Sequence, residues 1–176
     1  QRIEKRKCLL REGYAKCPTC KKCGLLCGWG GAGAFSDGKL TLTPDVGGHL
    51  VDYMGRKQVE DLIAYADQLY LDYGATDEVF GTDMKVFQEL ERQAVLAELK
   101  LVHSPVRHLG TERSLNVLKN MQDYLNDRIT ILNDVSAQSL IVECEQVKGI
   151  ILDNGETIKA EYTIVAPGRE GADWLT

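Results

Sequence analysis

Gly28-Trp29-Gly30-Gly31-Ala32-Gly33-Ala34-Phe35-Ser36-Asp37-Gly38-Lys39-Leu40 packs five glycines into the eleven residues from 28 to 38. Gly adopts positive φ without steric cost and lets other groups come close to the backbone. Such density predicts a chain that wraps a ligand or turns tightly more than once. Gly28, Gly30 and Gly33 also satisfy the letter of G-x-G-x-x-G. That pattern cradles a dinucleotide pyrophosphate only where it follows a strand and opens a helix. Here Cys23-Gly24-Leu25-Leu26-Cys27 is too short and too Gly-interrupted for a central parallel strand, and Phe35-Ser36-Asp37-Gly38 are turn formers. The stretch is expected to be a cofactor-lining loop of another kind.

Immediately before it stand Cys17, Cys20, Cys23 and Cys27. Two- and three-residue gaps aim several sulfurs at one point, and the spacing matches bacterial iron–sulfur ligands. The match has defects: Gly28 follows the last cysteine where that pattern has Pro, and no second ligand set exists for the fourth Cys to serve. Cys8 is an alternative fourth ligand. A tetrahedral zinc site accepts the same residues, and free or redox-active thiols in a loop are the third possibility.

A chain of 176 residues, 44% of them apolar, makes about one domain with a real core. Net charge −5 and a pI near 5.3 argue against nucleic acid as a main partner. Positive charge concentrates in Arg2, Lys5, Arg6, Lys7 and Arg11, then Lys16, Lys21 and Lys22, a solvated basic face by default. No apolar run reaches membrane-spanning length, and the first residues are not a signal peptide. Five of the six cysteines precede residue 28, where a secreted scaffold would spread them, so a reducing, cytoplasmic setting is expected.

Further along, Lys39 to Thr43 alternates as a short strand closed by Pro44. Val59, Leu62, Ile63, Ala66, Leu69 and Tyr70 predict a helix over 56–73, with Gly74 as its C-cap. Phe87, Leu90, Ala94 and Ala97 predict another over 84–100. Thr111 is the expected N-cap of a helix over 112–126, with Leu115, Leu118, Met121, Tyr124 and Leu125 facing inward. Beside it, Arg107 and His108 could hold an anion, and His108 is otherwise a structural histidine. The last fifty residues predict strands at 129–132, 139–144, 147–152 and 157–160, with Asn154-Gly155 as a hairpin turn. Tyr162-Thr163-Ile164-Val165-Ala166 is apolar enough to predict a strand covered on both faces, ending at Pro167-Gly168-Arg169-Glu170-Gly171. The fold class is α/β or mixed α+β. The expected divisions are a Cys-rich segment with the Gly-rich loop (1–43), a mainly helical region (44–127) and a β-rich end (128–176).

Three motifs together carry a resemblance. The stretch 28–43, then Arg107-His108-Leu109-Gly110-Thr111-Glu112, then Ile164-Val165-Ala166-Pro167-Gly168-Arg169-Glu170-Gly171-Ala172-Asp173-Trp174-Leu175 resemble, in order and spacing, the signatures of an uncharacterised family of FAD-dependent dehydrogenases within the glutathione-reductase-like flavoproteins. The likeness runs from about Lys7 onward. It implies part of an FAD-binding Rossmann-like domain, with the helices at 56–73 and 84–100 as an insertion and residues 162–166 returning to the sheet. It also implies an internal fragment: the N-terminal βαβ unit with the true G-x-G-x-x-G would precede Lys7, a further flavin-contacting segment would follow, and the piece alone is expected to be inactive. On this resemblance FAD is the cofactor and a small molecule of unknown kind the substrate, with no nucleic acid or membrane partner. Gly30, Gly31, Ala32 and Gly33 would line the flavin. Ser36, Asp37 and Lys39 would lie near its ring or the substrate, with Lys39 stabilising reduced flavin. Val135 would meet adenine through its backbone, and Ala166, Pro167 and Gly168 would pass the pyrophosphate or adenosine. Arg107 and His108 would stand on the substrate side. An iron–sulfur electron-transfer protein and a zinc-stapled interaction module, both resting on the cysteines, are the alternatives.

Overall fold

The computed structural model describes residues 1–9, 12–20, 23–168 and 171–175. The chain is mixed α+β, divided into a central unit, 33–124, and a split unit made of 1–32 and 125–176. Both of its small sheets are antiparallel, so the parallel Rossmann-like sheet implied by the resemblance is not seen among the described residues.

The central unit opens with β1 (Lys39–Thr41), then α1 (Val51–Met54) and α2 (Arg56–Asp72). Gly74 at φ +104 ends α2 as expected. Its N–H donates to Leu71 O (3.0 Å) and that of Ala75 to Tyr70 O (2.9 Å), so two orphan carbonyls are satisfied. Next, α3 (Met84–Leu96) starts at Asp83, whose carboxylate accepts from the N–H groups of Lys85 and Val86. It stops four residues before the expected Lys100, because Glu98 takes φ +58 and the same double closure forms from Glu98 and Leu99 to Val95 and Ala94. Then come β2 (Val106–His108) and α4 (Thr111–Asn126). The strand β2, which the sequence did not announce, pairs with β1 in the register Lys39 to His108, Leu40 to Arg107 and Thr41 to Val106. Thr111 is not the cap of α4 but lies within it, and the N–H of Ser114 reaches Gly110 O at 3.0 Å. The helix buries Ser114, Val117 and Gln122 most deeply, a face rotated from the expected leucine stripe. Ser114 is drawn inward by Gly38, where an added Cβ would stand 3.0 Å from the Ser114 and Leu109 Cβ atoms.

On the surface of this unit Arg56 grips both oxygens of Asp45 (2.7 and 2.8 Å), and Thr43 donates to the same carboxylate at 3.0 Å. The Arg56 hydrogen bonds, then the Thr43 one, hold the Asp45 pKa down to about 2. The carboxylate is therefore stabilised in the folded state. That contribution is complete above the ordinary aspartate range and is lost as pH falls through about 2. A carboxyl-carbon NMR titration is expected to give Asp45 a midpoint near 2, returning toward the ordinary aspartate value in Arg56→Ala. An unchanged midpoint in that variant would remove Arg56 as the cause.

The split unit carries β3 (Ala137–Glu143), β4 (Gln146–Leu152), β5 (Thr157–Lys159) and the short α5 (Ala172–Leu175). The strands form one meander, β3-β4-β5. Cys144 and Glu145, at φ +49 and +62, make the two-residue β3–β4 turn, which requires positive φ at both positions. Asn154-Gly155 does turn the chain, but inside a three-residue loop: the Leu152 N–H reaches Glu156 O at 2.8 Å, with Gly155 at φ +85. Two expected strands are absent. Ile129 to Leu132 is irregular, with Ile129 and Leu132 exposed. Residues 162–166 pair with no strand among the described residues, and Ile164 is 92% exposed rather than covered on both faces. Among the described residues, no helix is long and apolar enough to cross a membrane.

Candidate functional site

The site in the split unit is built around Arg6. Far from lying on a solvated basic face, Arg6 is only 5% exposed. Its Nε donates to Gly24 O (3.2 Å), and its two terminal nitrogens donate to Leu25 O (2.8 Å) and Trp29 O (2.5 Å). One guanidinium thus gathers three carbonyls of the loop between Cys23 and Gly30. Burial lowers the Arg6 pKa, and Cys27 and Cys23 oppose that shift. The loop closes tightly on the side chain. A Cβ at Gly24 would collide with Lys7 O, and one at Gly28 (φ +106) would stand 3.0 Å from Arg6 Cδ. The Cys27 N–H bonds to Cys23 O at 2.8 Å, completing one turn.

Two adjoining hollows open beside this loop. The smaller, about 540 Å³, is lined by Leu26, Cys27, Gly28, Gly31 and Ala32 together with Ala166, Pro167 and Gly168. The larger, about 830 Å³, adds Trp29, Gly30, Val135, Thr163, Ile164 and Trp174 to the shared Cys27, Gly28, Ala166 and Pro167. Segments more than a hundred residues apart in sequence therefore meet. Of the residues expected to touch a cofactor, Gly30, Gly31, Ala32, Val135, Ala166, Pro167 and Gly168 are brought together here. The floor of the larger hollow includes Ala137 and Ile150 of β3 and β4. The Thr163 Oγ1 is buried with no hydrogen-bond partner among the described residues. Sequence inspection missed two parts of this site. Arg6 stands among other basic residues and carries no distinguishing signal, whereas Thr163, the one aliphatic hydroxyl in an apolar run, did carry one.

The remaining candidates belong to the central unit. A Ser36 Oγ–H donates to Gly33 O (2.8 Å) and its oxygen accepts from the Gly38 N–H (3.1 Å), so Ser36 shapes the turn. The turn then docks on the second motif, with Leu109 N–H to Gly38 O and Gly110 N–H to Asp37 O, both 2.9 Å. Lys39 and His108 are register partners on the exposed side of the ribbon, and Lys39 Nζ lies 3.3 Å from Asp37. Arg107 alternates to the other side and is 4% exposed. Its Nε and one terminal nitrogen grip Asp67 at 2.6 and 2.7 Å, and the other meets Thr76 O at 2.5 Å. These bonds tie the ribbon to α2 and engage the guanidinium with the protein.

Cys17 and Cys20 are exposed, and Cys8, Cys23 and Cys27 half-buried, all as free thiols. Among the described residues, no three His, Cys, Asp or Glu side chains converge in a way that would hold a metal ion. Comparison of the chain with known protein families, curated proteins and solved structures found no match.

Proposed function

We propose that the chain is part of an FAD-dependent oxidoreductase and that the paired hollows of the split unit receive the flavin cofactor. The single observation behind this is that the Gly-rich loop, Val135 and Ala166-Pro167-Gly168 line adjoining hollows although they are far apart in sequence. The lining suits the group: apolar and glycine surface for a flat ring, volumes within the ordinary range for ligand sites, and a buried hydroxyl at Thr163 lacking a protein partner. When bound, the flavin supplies hydride or electron transfer, and the protein supplies orientation and electrostatics. Gly30 and Gly31 leave the backbone open to close approach. Trp29 and Ile164 offer apolar surface to the larger hollow. We assign Lys39 and His108 to the substrate side because both side chains are exposed and adjacent on the ribbon. We assign Arg107 the task of positioning that ribbon.

Titration of the chain with FAD, followed by flavin fluorescence and visible circular dichroism, is expected to reveal weak, saturable binding at one site per chain. Ala32→Phe, which fills the smaller hollow from an exposed position, is expected to weaken it about tenfold or more. Unchanged flavin signals throughout, or an Ala32→Phe chain that binds as well as the parent, would end the assignment.

A further inference from the structure

We propose that the outer surface around Arg2, Lys5, Lys7, Tyr14 and Lys16 is a docking face for an acidic segment of a partner protein. It rests on the distribution of charge and takes nothing from the hollows or from the flavin assignment.

The chain is acidic overall, yet its charge is divided. Residues 1–32 hold eight of the 21 Lys and Arg residues and two of the 26 Asp and Glu residues, a net charge of +6. Residues 125–176 of the same unit hold four basic and nine acidic residues, a net charge of −5. Of the eight basic side chains, Arg6 is buried, while Arg2, Lys5, Lys7 and Lys16 are exposed. Arg11, Lys21 and Lys22 lie outside the described residues. In the central unit Lys39, Arg56, Lys57, Arg92 and Arg107 each rest on a carboxylate. Among the described residues, none of Arg2, Lys5, Lys7 and Lys16 does. Their charge is left for another molecule.

Local geometry turns these charges outward. The Lys5 and Arg6 N–H groups donate to Arg2 O (3.1 Å) and Ile3 O (3.2 Å), which makes a 3₁₀ turn. Side chains three apart eclipse in such a turn. Ile3 and Arg6 share its buried side, so Arg2 and Lys5 stand one above the other on its outside. The bonds from Arg6 to Gly24 O, Leu25 O and Trp29 O anchor the turn to the loop and fix which side faces out. A second turn follows, closed by Glu12 N–H to Cys8 O (3.1 Å) and Tyr14 N–H to Leu9 O (3.2 Å), with Gly13 at φ +101. It leaves Tyr14, 58% exposed, between Lys7 and Lys16 along the chain. An aromatic ring among charged neighbours is the usual composition of a protein-binding anchor.

The extent of the face selects the partner. Charges act over about 8 Å at physiological ionic strength. A nucleic-acid duplex or an anionic membrane reaches far past these five side chains and meets the acidic remainder of the same unit, which repels it. A short run of Asp and Glu on a protein meets the basic residues alone. Complementary charge then sets the speed and the selectivity of the encounter.

The test is a titration of the chain with a capped peptide of glutamates around a central leucine, followed by backbone amide NMR shifts at low salt. Saturable shifts centred on Lys5, Lys7, Tyr14 and Lys16, weakened by added salt, are expected. Affinity is expected to fall about tenfold or more in the triple variant Lys5→Glu, Lys7→Glu, Lys16→Glu. The control Lys148→Glu with Lys159→Glu, in the acidic part of the same unit, is expected to bind nearly as the parent does. Should the triple reversal disturb the fold, Lys→Gln at the same three positions is expected to give a smaller loss in the same direction. Shifts centred elsewhere, full affinity in the folded triple variant, or an equal loss in the control would overturn the proposal. So would tighter binding, at the same salt, of a short DNA duplex or of phosphatidylglycerol vesicles.

Discussion

Replacing Arg107 with methionine is expected to destabilise the central unit by about 3–5 kcal/mol, the range for removing one partner of a buried ion pair. Both members are inside: the Arg107 side chain is 5% exposed and that of Asp67 15%. The variant leaves Asp67 without its two charge-assisted bonds and Thr76 O without its donor. The loss is therefore dominated by an uncompensated carboxylate and not by missing volume, since methionine nearly fills the same space. Two further chains separate these causes. Arg107→Lys keeps the charge but cannot reproduce a planar fork that serves both oxygens and a carbonyl, so it is expected to lose most of the same stability. The double variant Asp67→Leu with Arg107→Met removes both charges and is expected to recover a large part of it. Urea unfolding of the parent, these three variants and the Asp67→Leu single reads this directly. If the double variant is as weak as the two single losses added together, the ion pair is not the source of the effect. A loss below about 1 kcal/mol in Arg107→Met would place the pair with ordinary surface bridges and reopen Arg107 as a substrate-facing group.

What could be read in advance depended on whether a residue type carried its own conformational cost. Gly74 announced the end of α2 because Gly is the favoured residue at positive φ. Glu98 ends α3 with the same geometry, and nothing about a glutamate says so, hence the overrun to residue 100. Cys144-Glu145 likewise forms a hairpin turn usually built from Asn and Gly. Apolar runs were the weaker guide. Residues 162–166 have strand composition, but a strand also needs a neighbour to take its N–H and C=O groups, and composition cannot supply one. One missed signal was visible. Asp67 falls four residues after Ile63 and eight after Val59, on the apolar side of α2, where a carboxylate must find a cation. Half of the candidate site was legible from glycine density and the terminal motif, because close approach requires small residues. Arg6 was not, because burial of one basic residue among several is decided by distant carbonyls and not by its own neighbourhood.

Gly149→Ala is expected to cost about 3 kcal/mol or more, the sum of two effects of about 1–3 kcal/mol each. The first is local: Gly149 sits at φ +146, where side chains rarely fit. The second is steric: an added Cβ would collide with Ile158 O and stand 2.8 Å from Lys159 Cα, both backbone atoms of the facing strand. Backbone cannot swing aside as a side-chain tip can, so one strand must leave. The three-residue β5 is the one held least, being exposed throughout and at the edge of the meander. Hydrogen exchange is expected to show this as an Ala160 amide, normally bonded to Lys148 O at 3.0 Å, opening about a hundredfold more often. The β3–β4 amides should change less, and the Trp174 indole, which donates to Gln138 O of β3 at 3.0 Å, should report that strand as still in place. Gly155→Ala is the matched control: φ +85 gives it comparable backbone strain, yet nothing lies within 4 Å of its added Cβ. Equal losses in the two variants would mean that strain alone acts and that the close approach of β5 to Gly149 is not what holds the edge. Ile150, the next residue of β4, lines the larger hollow, so the FAD binding proposed there is expected to weaken only if β4 itself shifts and to stay unchanged if β5 alone is released.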